Sequence, residues 1–348
     1  IAGKLDINAF WRNGLWRTGL FPDNSKGESE TYIFASPFVK AGLTYKINGR
    51  NYIFANGAYG LRAPMVTDVF LSPRTRNQAL PNPTQQTVIS AEGGYIHNSP
   101  KFRFRAVGYI TYTLDGIRTI SFYHDLYNNN VNLTLRNIDI RSYGGEFGLD
   151  WKIWKGIGLN AAVGIGRSQY VGSPLATTTL DNSQQTLTSD ETVYFNNVNV
   201  ANGPQWANTI GISYNSPQFW FVRMNFNYFD WMWVDASPIR RTAAAVEGLD
   251  PNGTQYAKII DQERLPGAFT MDFFGGYSWK LDKTFKRMKT SQYLNFTASV
   301  SNITNNVFLN GGFQQLRYDD VNKNPDKFAN KYYVAYGINF FLNLTYRM

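Results

Sequence analysis

Tyr332-Tyr-Val-Ala-Tyr-Gly-Ile-Asn-Phe-Phe-Leu-Asn-Leu-Thr-Tyr-Arg-Met348 follows a two-residue period. Every second residue gives Tyr332, Val334, Tyr336, Ile338, Phe340, Leu342, Leu344, Tyr346 and Met348 on one face. The other face holds Ala335, Gly337, Asn339, Asn343, Thr345 and Arg347, with Tyr333 and Phe341 as exceptions. Strand side chains alternate between faces, whereas a helix would scatter these apolar residues around its circumference. The segment reads as a β-strand with one apolar side and one polar side.

The same period recurs upstream. Phe102, Phe104, Ala106, Gly108, Ile110, Tyr112 and Leu114 alternate with Lys101, Arg103, Arg105, Val107, Tyr109, Thr111 and Thr113. Trp220, Val222, Met224, Phe226 and Tyr228 alternate with Arg223, Asn225 and Asn227. Leu294, Phe296, Ala298 and Val300 alternate with Asn295, Thr297, Ser299 and Ser301. Phe147, Leu149, Trp151 and Ile153 stand against Glu146, Asp150 and Lys152. Several runs are too long for a soluble sandwich, whose strands cluster near about five or six residues. A tilted strand that crosses a bilayer takes ~9–11 residues. Tyr and Trp gather at strand ends (Trp151 and Trp154, Trp206 and Tyr214, Trp231 and Trp233, Tyr277 and Trp279). That placement suits an aromatic girdle at each membrane interface.

The period rule gives about twelve strands, and their connections alternate between short and long. Short turns fall at Asn48-Gly-Arg50, Asn98-Ser-Pro100, Trp154-Lys-Gly156 and Asn215-Ser-Pro217, with a slightly longer one near Asp282 to Thr290. Long loops fall at 21–31, 62–86, 116–137, 171–204, 234–266 and 304–331. Periplasmic turns are short and external loops long in outer-membrane barrels, and a soluble meander has no reason to alternate so. The fold class expected is all-β, a transmembrane antiparallel barrel in the bacterial outer membrane.

Composition removes several other classes. No run of apolar residues approaches the ~18 that a membrane helix needs. Mean hydropathy is −0.34, but alternating strands average to nothing, so a barrel passes this test unseen. The absence of Cys excludes a disulfide scaffold and thiolate chemistry. The net charge of +9 comes from scattered Lys and Arg, with only a loose cluster at Lys283, Lys286, Arg287 and Lys289, so nucleic acid is not an expected partner. No Gly-x-x-x-x-Gly-Lys phosphate loop is present. The only two His are His97, at a short turn, and His124, in a long loop. Ser121, His124 and Asp125 form a weak nucleophile–base pattern, and two separated His without Cys make a poor transition-metal site. Neither an enzyme, a cofactor nor a metal is expected.

Four stretches carry a family resemblance: Asn56-Gly-Ala-Tyr-Gly-Leu-Arg-Ala-Pro64, Ser142-Tyr-Gly-Gly-Glu-Phe-Gly-Leu-Asp-Trp151, Val300-Ser-Asn-Ile-Thr-Asn-Asn306 and Tyr336-Gly-Ile-Asn-Phe-Phe-Leu-Asn-Leu-Thr-Tyr346. In these, across essentially the whole chain, the sequence resembles the C-terminal part of TonB-dependent receptors. It departs at the final residue, Met348, where the family usually has Phe. The resemblance implies a 22-stranded barrel closed by an N-terminal plug behind a TonB-contacting segment. Residues 1–348 would then be the C-terminal portion, processed or partial, with the plug and earlier strands absent from this chain.

The resemblance also implies a mechanism: a scarce solute binds outside to loops and plug, and TonB pulls the plug with energy from the inner membrane. The implied partners are outer-membrane lipid, the protein's own plug and the TonB complex. Candidate lumen residues, facing plug or solute, are Arg103, Arg105, Glu146, Asp150, Arg223, Asn225, Asn227 and Asp272. Plain solvation of a wet interior accounts for the same charges, since polar lumens are the rule. The long loops, such as 123–130, are the expected ligand surface. Two alternatives remain open: a passive channel, and a barrel scaffold that binds a surface lipoprotein or envelope complex.

Overall fold

The computed structural model describes residues 2–5, 32–71, 79–181, 185–201, 203–284 and 291–347. Eleven strands follow one another as neighbours in one antiparallel sheet. They are β1 (Phe38–Lys46), β2 (Asn51–Arg62), β3 (Gln86–Asn98), β4 (Phe102–His124), β5 (Asn129–Trp154), β6 (Ile157–Tyr170), β7 (Trp206–Asn215), β8 (Trp220–Asp230), β9 (Ala268–Lys280), β10 (Tyr293–Ser301) and β11 (Asn339–Arg347). The sheet is not closed: β1 and β11 are its edges, and both are exposed along their whole length. A pair of short strands, Ala2–Leu5 and Tyr32–Ala35, precedes it. The rest of a first strand and the expected loop 21–31 lie outside the described residues. The eleven strands are consistent with the twelve expected.

Registers fix the faces, because directly paired residues share a side of the sheet. Phe104 pairs with Leu149, Leu149 with Ala161, Ile212 with Met224, Met224 with Phe273 and Phe296 with Leu344. These residues make one continuous apolar face, with Ile210 and Ile212 each 51% and Leu342 70% exposed. Such exposure across a whole sheet needs a solvent that is itself apolar. Among the described residues no helix is long and apolar enough to cross a membrane. The opposite face is polar and rich in glycine. There Tyr109 lies across Gly144 and Gly166, where an added Cβ would stand 2.9 and 2.7 Å from its hydroxyl. The missing side chains make room for the ring.

The short turns lie where the sequence places them, between β1 and β2, β3 and β4, β5 and β6, and β7 and β8. The turn after β9 opens with a short helix, Leu281–Thr284, and most of the basic cluster at 283–289 lies outside the described residues. The expectation of a loop over 116–137 is corrected. β4 and β5 run on for 23 and 26 residues and join through a tight turn after His124. Asp115, Gly116 and Asn137 look like turn residues. In the structure Asp115 and Asn137 have φ of 59° and 57°, and the register shifts beside them. They form a bulge that bends the hairpin and lets the ladder continue. Strand Leu175–Leu180 adds to the outer part of β5, and Thr186–Thr192 pairs with it in turn.

Nearly all the buried apolar residues lie in the outer connections. Leu133, Leu135, Ala176, Val193, Phe195 and Ala236 form one core. Met232, Val234, Leu265 and Ala268 form a second, and Ala245, Ile259 and Tyr318 a third. The loops therefore fold into a body of their own above the sheet.

Candidate functional site

The outer loops enclose a cleft of about 930 Å³ at the top of the sheet's polar face. Each long connection among the described residues contributes to its lining. Asp68 comes from a short helix, Val66–Val69, and Arg118, Thr119 and Ile120 come from the projecting part of β4. Tyr170 ends β6, Phe195 follows the added strand pair, and Asp235 and Ser237 follow β8. Gly311, Gly312, Phe313 and Gln314 come from the connection between β10 and β11.

Backbone bonds stitch these walls together. The Asp235 amide donates to Gly312 O (2.8 Å), and the Gln314 amide donates to Asp235 O (2.8 Å). Behind them lies Arg241, 2% exposed, whose guanidinium donates to Ser237 O (3.1 Å), Gln314 Oε1 (2.6 Å) and Ile260 O (2.7 Å). Its neighbour Arg240 donates to Pro325 O (3.3 Å) and Phe328 O (2.7 Å). Two consecutive arginines thus tie their own connection, between β8 and β9, to the one between β10 and β11, using the fixed fork of the guanidinium to reach several acceptors at once. Burial, with Arg240 alongside, pushes the Arg241 pKa down to about 10, so it remains cationic at neutral pH.

The cleft itself is charged. Arg118 lies 3.9 Å from Asp235. Asp68 accepts the Thr119 amide at 3.0 Å. Burial pushes both carboxyls above their usual range, while Arg118 pulls each back. Opposite charges sharing a partly dry space keep a potential that open water would screen. Phe195, Phe313 and Tyr333 add aromatic surface. A polar solute with an apolar part therefore finds both kinds of partner here.

The tip of the β4–β5 hairpin is tied to the connection before β11. Arg317 donates to Asp125 through Nε (3.1 Å) and Nη2 (2.5 Å) and stacks on Phe328, 4.4 Å from the ring centroid. The ion pair raises the Arg317 pKa and lowers that of Asp125. His124 Nε2 stands 3.6 Å from Asp320, and burial pushes its imidazole pKa down against the pull of Asp320 and Asp125. Ser121 donates to Asn132 Oδ1 (2.5 Å). The Ser121–His124–Asp125 pattern is thus used in inter-strand and inter-loop contacts, and no bond links Ser121 to His124. His97 sits at its short turn, 2.7 Å from Asn51 Oδ1.

All eight lumen candidates share the polar face. Arg103 pairs with Asp150, Arg105 with Gly148, Val107 with Glu146, Arg223 with Phe274, Asn225 with Asp272 and Asn227 with Thr270. Asn227 donates to Asp272 Oδ2 (2.8 Å), and Asp272 Oδ1 accepts the Asn302 amide (2.8 Å). Arg105 stacks over Phe54 at 5.4 Å. Arg105, Glu146 and Asn227 line a second hollow of about 540 Å³. The structure does not gather the eight residues into one cluster. They spread down the wall below the cleft. Asp68, Arg118, Asp235, Arg240, Arg241 and Gln314 were not singled out in the sequence. The adjacent arginines after Pro238 are the one local signal that points to them.

No protein-family model matches the sequence, and no curated protein matches it. Solved structures do. The copper transporter OprC is similar over 90% of this chain, with 14% identity and a TM-score of 0.53. The FrpB iron transporter of Neisseria meningitidis is similar over 90%, with 12% identity and a TM-score of 0.52. The ferric yersiniabactin uptake receptor FyuA of Yersinia pestis is similar over 91%, with 13% identity and a TM-score of 0.51. The chain spans 40%, 39% and 38% of their lengths. At 12–14% identity the likeness is one of fold: the sheet is part of the barrel that these transporters and this uptake receptor share.

Proposed function

We propose that this chain is the C-terminal portion of an outer-membrane transporter, taking up a solute that the outer cleft receives and the polar wall conducts. The observation that carries the proposal is the cleft: long connections joined by Arg240 and Arg241 hold Asp68, Arg118 and Asp235 above an inward row of charges. Loops without a binding task have little reason to gather charges around an open space. On this reading Arg103, Arg105, Glu146, Asp150, Arg223, Asn225, Asn227 and Asp272 contact a plug domain or the passing solute. Energy then comes from a TonB complex acting through an N-terminal region.

The intact mass of the polypeptide from its native membrane, followed by planar-bilayer conductance, tests this. A mass well above 39.6 kDa with a closed conductance supports a plugged, energised transporter. A mass of 39.6 kDa with steady, solute-independent conductance makes the protein a passive pore. A closed barrel that copurifies with a surface lipoprotein and moves no solute makes it a scaffold.

A further inference from the structure

The apolar face is almost free of charge. Following the registers from β1 to β11 through the membrane-height ladder, the charged side chains on it among the described residues are Arg141, Arg167 and Asp230, with Asp139 at its upper end. Asp230 is answered by Arg264 at 2.8 Å. Among the described residues the two arginines have neither a carboxylate nor a hydrogen-bond partner. The Asp139 carboxylate, two residues above Arg141 on its strand, accepts the Asp115 amide instead (2.8 Å).

Arg141 and Arg167 are neighbours. Arg141 pairs with Gln169 and Tyr143 with Arg167, so the arginines are diagonal across β5 and β6, with Cβ atoms ~7–8 Å apart. The Arg141 guanidinium lies 5.3 Å from the centroid of Tyr143. That of Arg167 lies 5.6 Å from Trp231, which packs on Trp206 at 5.6 Å. Aromatic side chains thus hold both cations in place. Their height is also defined. Tyr143 stands ~20 Å of tilted strand above Trp151, close to the ~25 Å of an apolar band between girdles. Directly below them the wall is Phe147, Val163 and Ile165.

We propose that Arg141 and Arg167 form a binding site for the phosphate of an outer-leaflet lipid on the barrel's outer wall. Guanidinium forks match phosphate oxygens in pairs, and anionic head groups are recognised by basic residues at this depth. The apolar wall beneath accounts for a lipid, since it takes the acyl chains of the same molecule.

Native mass spectrometry of the full-length protein in detergent tests the site, with phosphatidylglycerol as probe and diacylglycerol as its phosphate-free counterpart. The wild type is expected to retain phosphatidylglycerol about tenfold better than diacylglycerol. Arg141→Gln with Arg167→Gln should abolish that preference, while Arg264→Gln should keep it. Equal retention of both lipids by the wild type overturns the proposal whether or not the double variant folds. So does an unchanged preference in a folded double variant. Full displacement of the lipid by inorganic phosphate at matched concentration overturns the lipid assignment and leaves a simple anion site.

Discussion

The sheet and the loop body above it have opposite constructions. Along the apolar face of the sheet, Ile210, Ile212 and Phe296 are 51%, 51% and 42% exposed. In the loops, Val131, Val193 and Ile259 are at 0%, and even an arginine is sealed at 2%. Lipid completes the first region, so each strand needs only a local two-residue period. The second is completed by protein, through contacts such as Arg317 with Asp125, 192 residues apart. One region has its stabilising surface supplied by the surroundings, and the other must assemble its own.

Substitutions can break this contrast in graded steps. The largest effect is expected from Arg241→Ala, which strands three buried acceptors and should cost the loop body roughly 3–5 kcal/mol. Hydrogen exchange over 231–267 reads it, and unchanged protection would show that Arg241 is not what binds the loops. Next comes Met224→Arg, a charge on the lipid side at mid-height, with roughly 2–4 kcal/mol lost in urea unfolding. The adjacent Asn225→Arg should stay within ~1 kcal/mol, as lumen positions tolerate charge. If the two variants unfold alike, the assignment of faces fails. Gly144→Val places a Cβ 2.5 Å from Ile165 O and 2.6 Å from Gly166 Cα, and overpacking of this kind costs about 1–3 kcal/mol. The smallest effect belongs to Arg317→Gln, which breaks an exposed ion pair of little weight, seen as faster exchange at the hairpin tip alone.

Acid should loosen the same tip. His124 has its docked pKa below the free value because burial disfavours the charged ring. The undocked tip therefore takes up the proton first, and docking weakens as pH falls below about 6.5, with no effect above it. Burial raises the Asp320 carboxyl, so its protonation favours docking, but only at lower pH. Exchange at 123–127, corrected for intrinsic rates, should rise severalfold from pH 7.5 to 5.5. The His124→Phe variant should lose this dependence, and a wild type with flat exchange would remove His124 from the account.

The strands were legible because their burial rule is local. Leu294 to Val300 and Trp220 to Tyr228 carry their facing in their spacing alone, and the eight polar candidates fell on one face for the same reason. The cleft was not legible. Asp68, Arg118 and Asp235 lie far apart in sequence, and nothing in their neighbourhoods tells a lining residue from a solvated one. The segment 116–137 misled for a different reason. Asp115, Gly116 and Asn137 carry the chemistry of a turn, and only the register on both sides shows that they bend a strand instead of ending it.

The central claim, that one face meets lipid and the other a wet interior, is open to a direct test because the chain has no cysteine. Single cysteines at Phe104, Arg105, Met224, Asn225, Phe296 and Thr297 would carry spin labels, read by collision with oxygen and with a water-soluble nickel chelate in a bilayer. The account predicts strict alternation: high oxygen and low nickel at Phe104, Met224 and Phe296, and the reverse at Arg105, Asn225 and Thr297. Equal nickel accessibility within each pair would contradict it.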